Sequence, residues 1–173
     1  MIVDIQDNGR SEIWQTLIGL QKEYNLTTFV ETGTQEGSTS EAVCDSFECA
    51  YSIESDSYNY NLAVNRLKGR NVNLILGSSG IELPRLLITN KITKALFWLD
   101  AHGNEHDETA ENQIPLELKA IKDHAPESLV AIDDVIQHEG KFKINDTYWF
   151  EIPEFWDIKH FPNMQIMILW KKP

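Results

Sequence analysis

Four residues have the types and spacing for joint chemistry: Asp100, His102, Asp133 and Asp134. Asp100 closes the apolar run ALFWL at 95–99, and Asp133 closes SLVAI at 128–132. Both runs have the length of strands buried on both faces, so these carboxylates fall at strand ends. Three carboxylates brought together repel one another unless a cation or protons intervene. Oxygen donors of this kind suit a hard divalent ion, Mg²⁺ or Mn²⁺, with water or substrate filling the remaining positions. His102 adds a base, since an imidazole with a pKa of about 6.5 accepts a proton at neutral pH. Plainer roles exist for the same residues. Asp133-Asp134 could cap the next segment, Asp100 could meet a ligand ammonium without metal, and HGNEHD at 102–107 could be a solvated loop. His102 and His106 are four apart, which suits zinc on a helix, but Gly103 and Asn104 argue against a helix there. His138 could reach the same site from the loop after the fifth strand, with an exposed position as its plainer reading.

A second constellation is FVETGTQEGST, residues 29–39. Phe29-Val30 reads as the end of a buried strand. Gly33 and Gly37 bracket a turn, and Ser38 opens a helix. Strand, glycine turn and helix N-terminus together let a backbone approach a nucleotide-like group closely. Glu54 ends the next predicted strand, 21 residues beyond Gly33. That is close to the ~20 at which a strand-two carboxylate meets a ribose diol. NAD is disfavoured, because its GxGxxG fingerprint needs glycine where Gln35 stands.

The elements that must position these residues alternate along the chain. Ser11–Tyr24 is an amphipathic helix on Ile13, Leu17, Leu20 and Tyr24, with Ser11 as N-cap. Strands are expected at Thr27–Glu31, Ala50–Glu54, Val72–Leu76, Ala95–Leu99 and Ser128–Ile132. Helices are expected at Thr39–Phe47, Tyr58–Leu67, Ile81–Ile88 (Pro84 near its first turn) and Ile114–His124. Such alternation makes a parallel α/β sheet. After Asp134 the pattern changes: His138–Asp146 is polar and Tyr148–Phe161 is rich in aromatics. Asp157–His160 and Met164–Trp170 are expected to form a closing hairpin. The aromatics there read as core and sheet-edge packing, with a substrate wall or dimer contact as the alternative.

Composition narrows the function. The 173 residues, 42% hydrophobic, predict one folded domain. It divides into an N-terminal segment and helix (1–26), a core (27–134) and C-terminal strands (135–173). A net charge of −12 disfavours nonspecific binding to nucleic acid or an anionic membrane. No run reaches the roughly 20 apolar residues of a membrane span, and the start lacks the pattern of a signal peptide. Cys44 and Cys49, five apart and read as helical, are expected to be reduced in a cytoplasmic protein.

With these motifs in order, the chain resembles the class I S-adenosylmethionine-dependent methyltransferases, from about Phe29 to Asp134 and more loosely beyond. ETGTQEG at 31–37 matches the family's first motif. Glu54 matches its acidic end of strand two, and Gly77-Ser78-Ser79 sits where the family contacts adenine. The WLDxH at 98–102 and IDD at 132–134 resemble small members of the superfamily akin to metal-dependent sugar O-methyltransferases. The resemblance implies an α/β, doubly wound, mostly parallel seven-stranded sheet, Rossmann-like, with an antiparallel C-terminal hairpin. It implies S-adenosylmethionine bound by Glu31, Gly33, Thr34, Gly37, Ser38, Glu54, Ser78, Ser79 and Asp100. It implies Mg²⁺ or Mn²⁺ on Asp100, Asp133 and Asp134. His102 takes the place of the family's general base, where metal-dependent members often have aspartate; Asp100 and His102 are thus the catalytic candidates. The expected activity is O-methylation of a small hydroxylated acceptor, such as a sugar. The alternatives are a scaffold that binds cofactor without catalysis, and a hydroxylase or hydrolase built on the same carboxylates. Gly33→Val is expected to obstruct the cofactor while leaving the protein folded.

Overall fold

The computed structural model describes residues 9, 12–102, 112–139, 141–144 and 148–173. Its strands are β1 (Thr28–Thr32), β2 (Cys49–Glu54), β3 (Val72–Leu76), β4 (Leu96–Leu99), β5 (Leu129–Ile132), β6 (Val135–His138), β7 (Lys141–Ile144), β8 (Tyr148–Phe150), β9 (Trp156–Phe161) and β10 (Ile166–Lys171). Its helices are α1 (Ile13–Tyr24), α2 (Ser38–Val43), α3 (Ser57–Arg66), α4 (Ser79–Thr89) and α5 (Ile114–His124). Seven strands form one sheet in the order β3-β2-β1-β4-β5-β10-β9. The first five run parallel, and β10 and β9 close the sheet antiparallel. This is the doubly wound α/β architecture expected from the sequence.

Helices cover both faces of the sheet, and strand alternation decides which side chain faces which layer. In β4, Leu96 and Trp98 pack with Ile13, Leu17 and Leu20 of α1 and Val43 of α2. Phe97 and Leu99 pack with Leu83 and Leu87 of α4 and Leu118 and Ile121 of α5. All four β4 residues are fully buried, which is why this segment reads as an unbroken apolar run.

The structure departs from the sequence reading in four places. The chain after Asp134 is not merely irregular. Strands β6, β7 and β8 form a separate antiparallel sheet, whose strands of three or four residues are too short for a periodicity signal. Cys49 lies in β2 rather than on a helix, because α2 ends at Val43 and a 3₁₀ turn, Cys44–Ser46, leads into the strand. The two thiols are free. Helix α4 begins at Ser79, so Pro84 lies inside it and removes one i→i−4 bond. The N-cap of α1 is Glu12, without a side-chain bond; Ser11 lies outside the described residues. Among the described residues no helix is long and apolar enough to cross a membrane.

Candidate active site at the carboxyl edge of the sheet

Strand register brings the candidate residues into one row. Thr32 pairs with Ile53 and Leu99, and Leu99 with Ile132. The next residue on each strand is therefore Gly33, Glu54, Asp100 or Asp133. Backbone bonds carry the ladder one step further: Gly33 N–H donates to Ile53, Asp100 N–H to Thr32 and Asp133 N–H to Leu99. The carboxyl ends of parallel strands are where open α/β sheets bind ligands.

The glycine turn is built from left-handed residues: Gly33, Gln35 and Gly37 have φ of 82°, 47° and 83°. Gln35 thus adopts a conformation natural to glycine, at a cost of roughly 1–2 kcal/mol. Its N–H is held by Glu54 Oε2 at 2.7 Å, while Glu54 Oε1 accepts from Asp56 N–H at 2.8 Å. Each oxygen keeps a second lone pair, so this carboxylate can shape the turn and still accept from a hydroxylated ligand. The structure corrects the reason for Gly33. A Cβ there would lie 2.2 Å from the backbone oxygen of Asp100 and 2.8 Å from Ala101 N. Glycine is required by the close approach of the chain leaving β4, before any ligand enters.

Under the turn lies a buried polar chain that the sequence reading missed. Thr34 Oγ1 lies 2.5 Å from Ser52 Oγ, which donates to Glu31 Oε2 at 2.5 Å; Ser40 Oγ donates to the same oxygen at 2.6 Å. Glu31, Ser40 and Ser52 are fully buried. Glu31 therefore ties β1, β2 and α2 together beneath the turn. Ser52 within AYSIE, a polar residue at a core-facing strand position, was the available signal.

Burial pushes the Glu31 carboxyl up to about 7, against the three hydroxyls of Ser40, Ser52 and Thr39; the charge on Glu54 adds to the rise. The folded protein thus holds this proton more tightly than the unfolded chain. Its contribution to stability is complete below the unfolded value of 4.5 and is lost as pH rises through about 7. Glu31→Gln should flatten unfolding stability between about pH 5 and pH 8 by on the order of 2–3 kcal/mol. Urea unfolding of both proteins at the two pH values checks it; parallel pH dependences would sink the assignment.

Asp100, His102 and Asp134 each offer one ligating atom within 4.8 Å of the others. His102 is buried, and its Nε2 lies 3.4 Å from Asp100 Oδ1. Asp134 has φ +52°, a left-handed conformation that Asp tolerates better than most residues. Asp133 plays a different part from its neighbour. It is buried, and its Oδ1 accepts from Asp134 N–H at 2.8 Å, bracing the bend. The sequence expectation of three aspartate ligands thus meets a geometric cluster of two aspartates and one histidine. His106 and the rest of 103–111 lie outside the described residues.

Ser78 and Ser79 lead into α4 beside α5, where Ser78 Oγ donates to Gln113 Oε1 at 3.3 Å. Gly37 caps α2 just ahead of Ser38. Beyond α5, a cavity of about 820 Å³ is lined by Pro115, Lys141, Phe142, Trp149, Phe150 and Ile158, among others. Its volume is in the range of small-molecule sites. Of the C-terminal aromatics, Trp156 and Phe161 are buried, whereas the buried Phe150 and the half-exposed Trp149 both line this cavity.

The sequence matches no protein-family model and no curated protein. Solved structures do match. An O-methyltransferase from Bacillus cereus in complex with SAH has a TM-score of 0.66 at 12% identity, covering 99% of this chain and 84% of that one. The SAH-bound methyltransferase PaMTH1 of Podospora anserina gives 0.67 at 13% identity, over 93% and 78%. An rRNA methylase from Streptococcus thermophilus gives 0.60 at 12% identity, over 99% and 100%. The fold is that of the class I S-adenosylmethionine-dependent methyltransferases. Its neighbours include enzymes named for different acceptors, so the fold leaves the acceptor open.

Proposed function

We propose that this protein is an S-adenosylmethionine-dependent methyltransferase that transfers a methyl group to a hydroxyl of a small acceptor, with a divalent ion assisting. One observation carries the reading. Strand register sets the glycine turn and Glu54 in the same row as the Asp100–His102–Asp134 cluster, so a methyl donor and a proton-accepting site meet at one edge. Two of the similar structures hold SAH, which supports the cofactor class.

Glu54 accepts from the ribose hydroxyls, and the Gly33–Gly37 turn brings backbone against the cofactor's amino-acid part, with Thr34 and Ser38 on its flanks. Ser78 and Ser79 lie on the adenine side. Asp100 and Asp134 would hold Mg²⁺ or Mn²⁺, with Asp133 bracing Asp134. Two carboxylates, each with an oxygen within 4.8 Å of the other's, fit such an ion. Its chemistry, when bound, would be to lower the pKa of the acceptor hydroxyl. His102 takes the hydroxyl proton as that oxygen attacks the methyl group, and Asp100, 3.4 Å away, orients the imidazole. A sugar as the hydroxylated acceptor rests on the resemblance of the WLDxH and IDD motifs at 98–102 and 132–134 to metal-dependent sugar O-methyltransferases. The free thiols suit a reducing compartment, in line with a cytoplasmic location.

Thermal melts with S-adenosylmethionine, SAH, NAD and divalent ions test the proposal. A ligand at 100 times its Kd should add about 2.7 kcal/mol of stability. Glu54→Ala should weaken SAH binding by roughly 1.5–3 kcal/mol in calorimetry. No response to S-adenosylmethionine or SAH would end the cofactor assignment, and no response to Mg²⁺ or Mn²⁺, with or without cofactor, would end the metal assignment. Binding of cofactor without release of SAH in the presence of hydroxylated acceptors would favour the non-catalytic scaffold.

A further inference from the structure

Glu117 is a carboxylic acid on the apolar stripe of α5, between Ile114 and Leu118, and is fully buried. Two buried hydroxyls lie against it: Ser79, the first residue of α4, and Thr32, the last residue of β1. They are close enough to favour its charged form but outside the geometry of a good hydrogen bond, and among the described residues neither they nor the carboxyl oxygens have another partner. Burial nevertheless dominates and pushes the carboxyl up to about 7. An acid kept at such cost and aimed at two hydroxyls from different elements calls for a reason beyond core packing.

The positions of those hydroxyls supply it. Thr32 immediately precedes Gly33 and the cofactor turn, and Ser79 closes the β3–α4 turn. Helix α5 is already pressed against α4 one turn earlier: a Cβ on Gly80 would lie 2.5 Å from Gln113 Oε1 and 2.8 Å from Leu116 Cδ1. The start of α5 thus packs against both the end of β1 and the start of α4. On the cofactor reading above, we infer that Glu117 is a positioning residue: it sets the spacing between the glycine turn and the β3–α4 turn, and so the affinity for the adenosyl cofactor, without touching it.

The test is calorimetric titration of SAH into the wild-type protein and into Glu117→Ala, Glu117→Gln, Thr32→Val and Ile121→Val. The Ala variant should bind SAH about 10-fold more weakly, which is about 1.4 kcal/mol. Thr32→Val should also bind several-fold more weakly. The Gln variant keeps an acceptor and a donor for the two hydroxyls and should restore near-wild-type affinity. Ile121→Val loosens the same helix without touching the cluster and should leave affinity unchanged. The Mn²⁺ midpoint in thermal melts should stay the same in all four, because general loosening would weaken both sites. Wild-type affinity in Glu117→Ala overturns the inference. If that variant does not fold, wild-type affinity in Thr32→Val does so. Equal losses in Glu117→Ala and Ile121→Val also overturn it. Absence of SAH binding by the wild-type protein would instead overturn the cofactor reading on which the inference rests.

Discussion

Replacing His102 by alanine is expected to lower kcat by about 10²–10⁴, or about 2.7–5.5 kcal/mol of barrier, while metal affinity stays within about threefold. The expectation follows from where the ring sits. It is buried, its Nε2 faces Asp100 at 3.4 Å, and the cluster lies on the row shared with Glu54. On the proposed reading the imidazole takes the proton, and the metal would rest on Asp100 and Asp134. Added imidazole should restore part of the lost rate in the alanine variant, since the cavity left behind admits the missing base. The measurement pairs single-turnover methyl transfer with Mn²⁺ titration. A variant as fast as the wild type would show that the proton leaves by water or by an aspartate. A variant that loses Mn²⁺ affinity along with rate would make His102 the third ligand, as the mutual distances of the cluster also allow.

Gly33→Val should leave too little stability for a soluble native protein. The added Cβ meets the Asp100 carbonyl oxygen at 2.2 Å, a backbone atom that cannot swing aside, and φ is +82°. The cost should exceed about 4 kcal/mol, against a total of about 5–15 kcal/mol for a domain. Gly37→Ala gives the contrast. Its φ is +83°, but its nearest neighbour is the tip of Leu67, Cδ1 at 3.0 Å, which can move. That variant should lose only about 1–2 kcal/mol and remain folded. Urea unfolding and soluble yield decide it. A Gly33→Val protein with the wild-type midpoint would show that the chain leaving β4 moves away at little cost.

Much of this architecture is legible in the amino-acid sequence because the signals are local. Strand β3 and helix α5 have the predicted bounds, since an apolar alternation and an apolar stripe are each set by nearby residues. The apolar run before Asp100 is legible for the same reason. A strand buried on both faces needs every side chain apolar, and β4 supplies Leu96, Phe97, Trp98 and Leu99. The glycine turn is legible from Gly33 and Gly37, although Gln35 conceals a third left-handed residue. The small sheet β6-β7-β8 is not legible, because its strands are only three or four residues long and β6 shows a single buried position.

The candidate site divides in the same way. Residue types and chain order determined which groups could do chemistry: the ETGTQEG turn, Glu54, Asp100, His102 and the Asp133-Asp134 pair. Only tertiary structure decided where they stand relative to one another. Parallel register placed Gly33, Glu54, Asp100 and Asp133 side by side. The left-handed bend at Asp134 brought that carboxylate to His102 and Asp100 and left Asp133 as its brace. Sequence could equally not show that Glu31 faces Ser40 and Ser52 on one side of the sheet while Thr32 faces Glu117 on the other. Those contacts join residues 9, 21 and 85 positions apart. A hydrogen bond or a buried charge is decided by distance in space, and spacing along the chain carries that distance only within one helix, strand or turn.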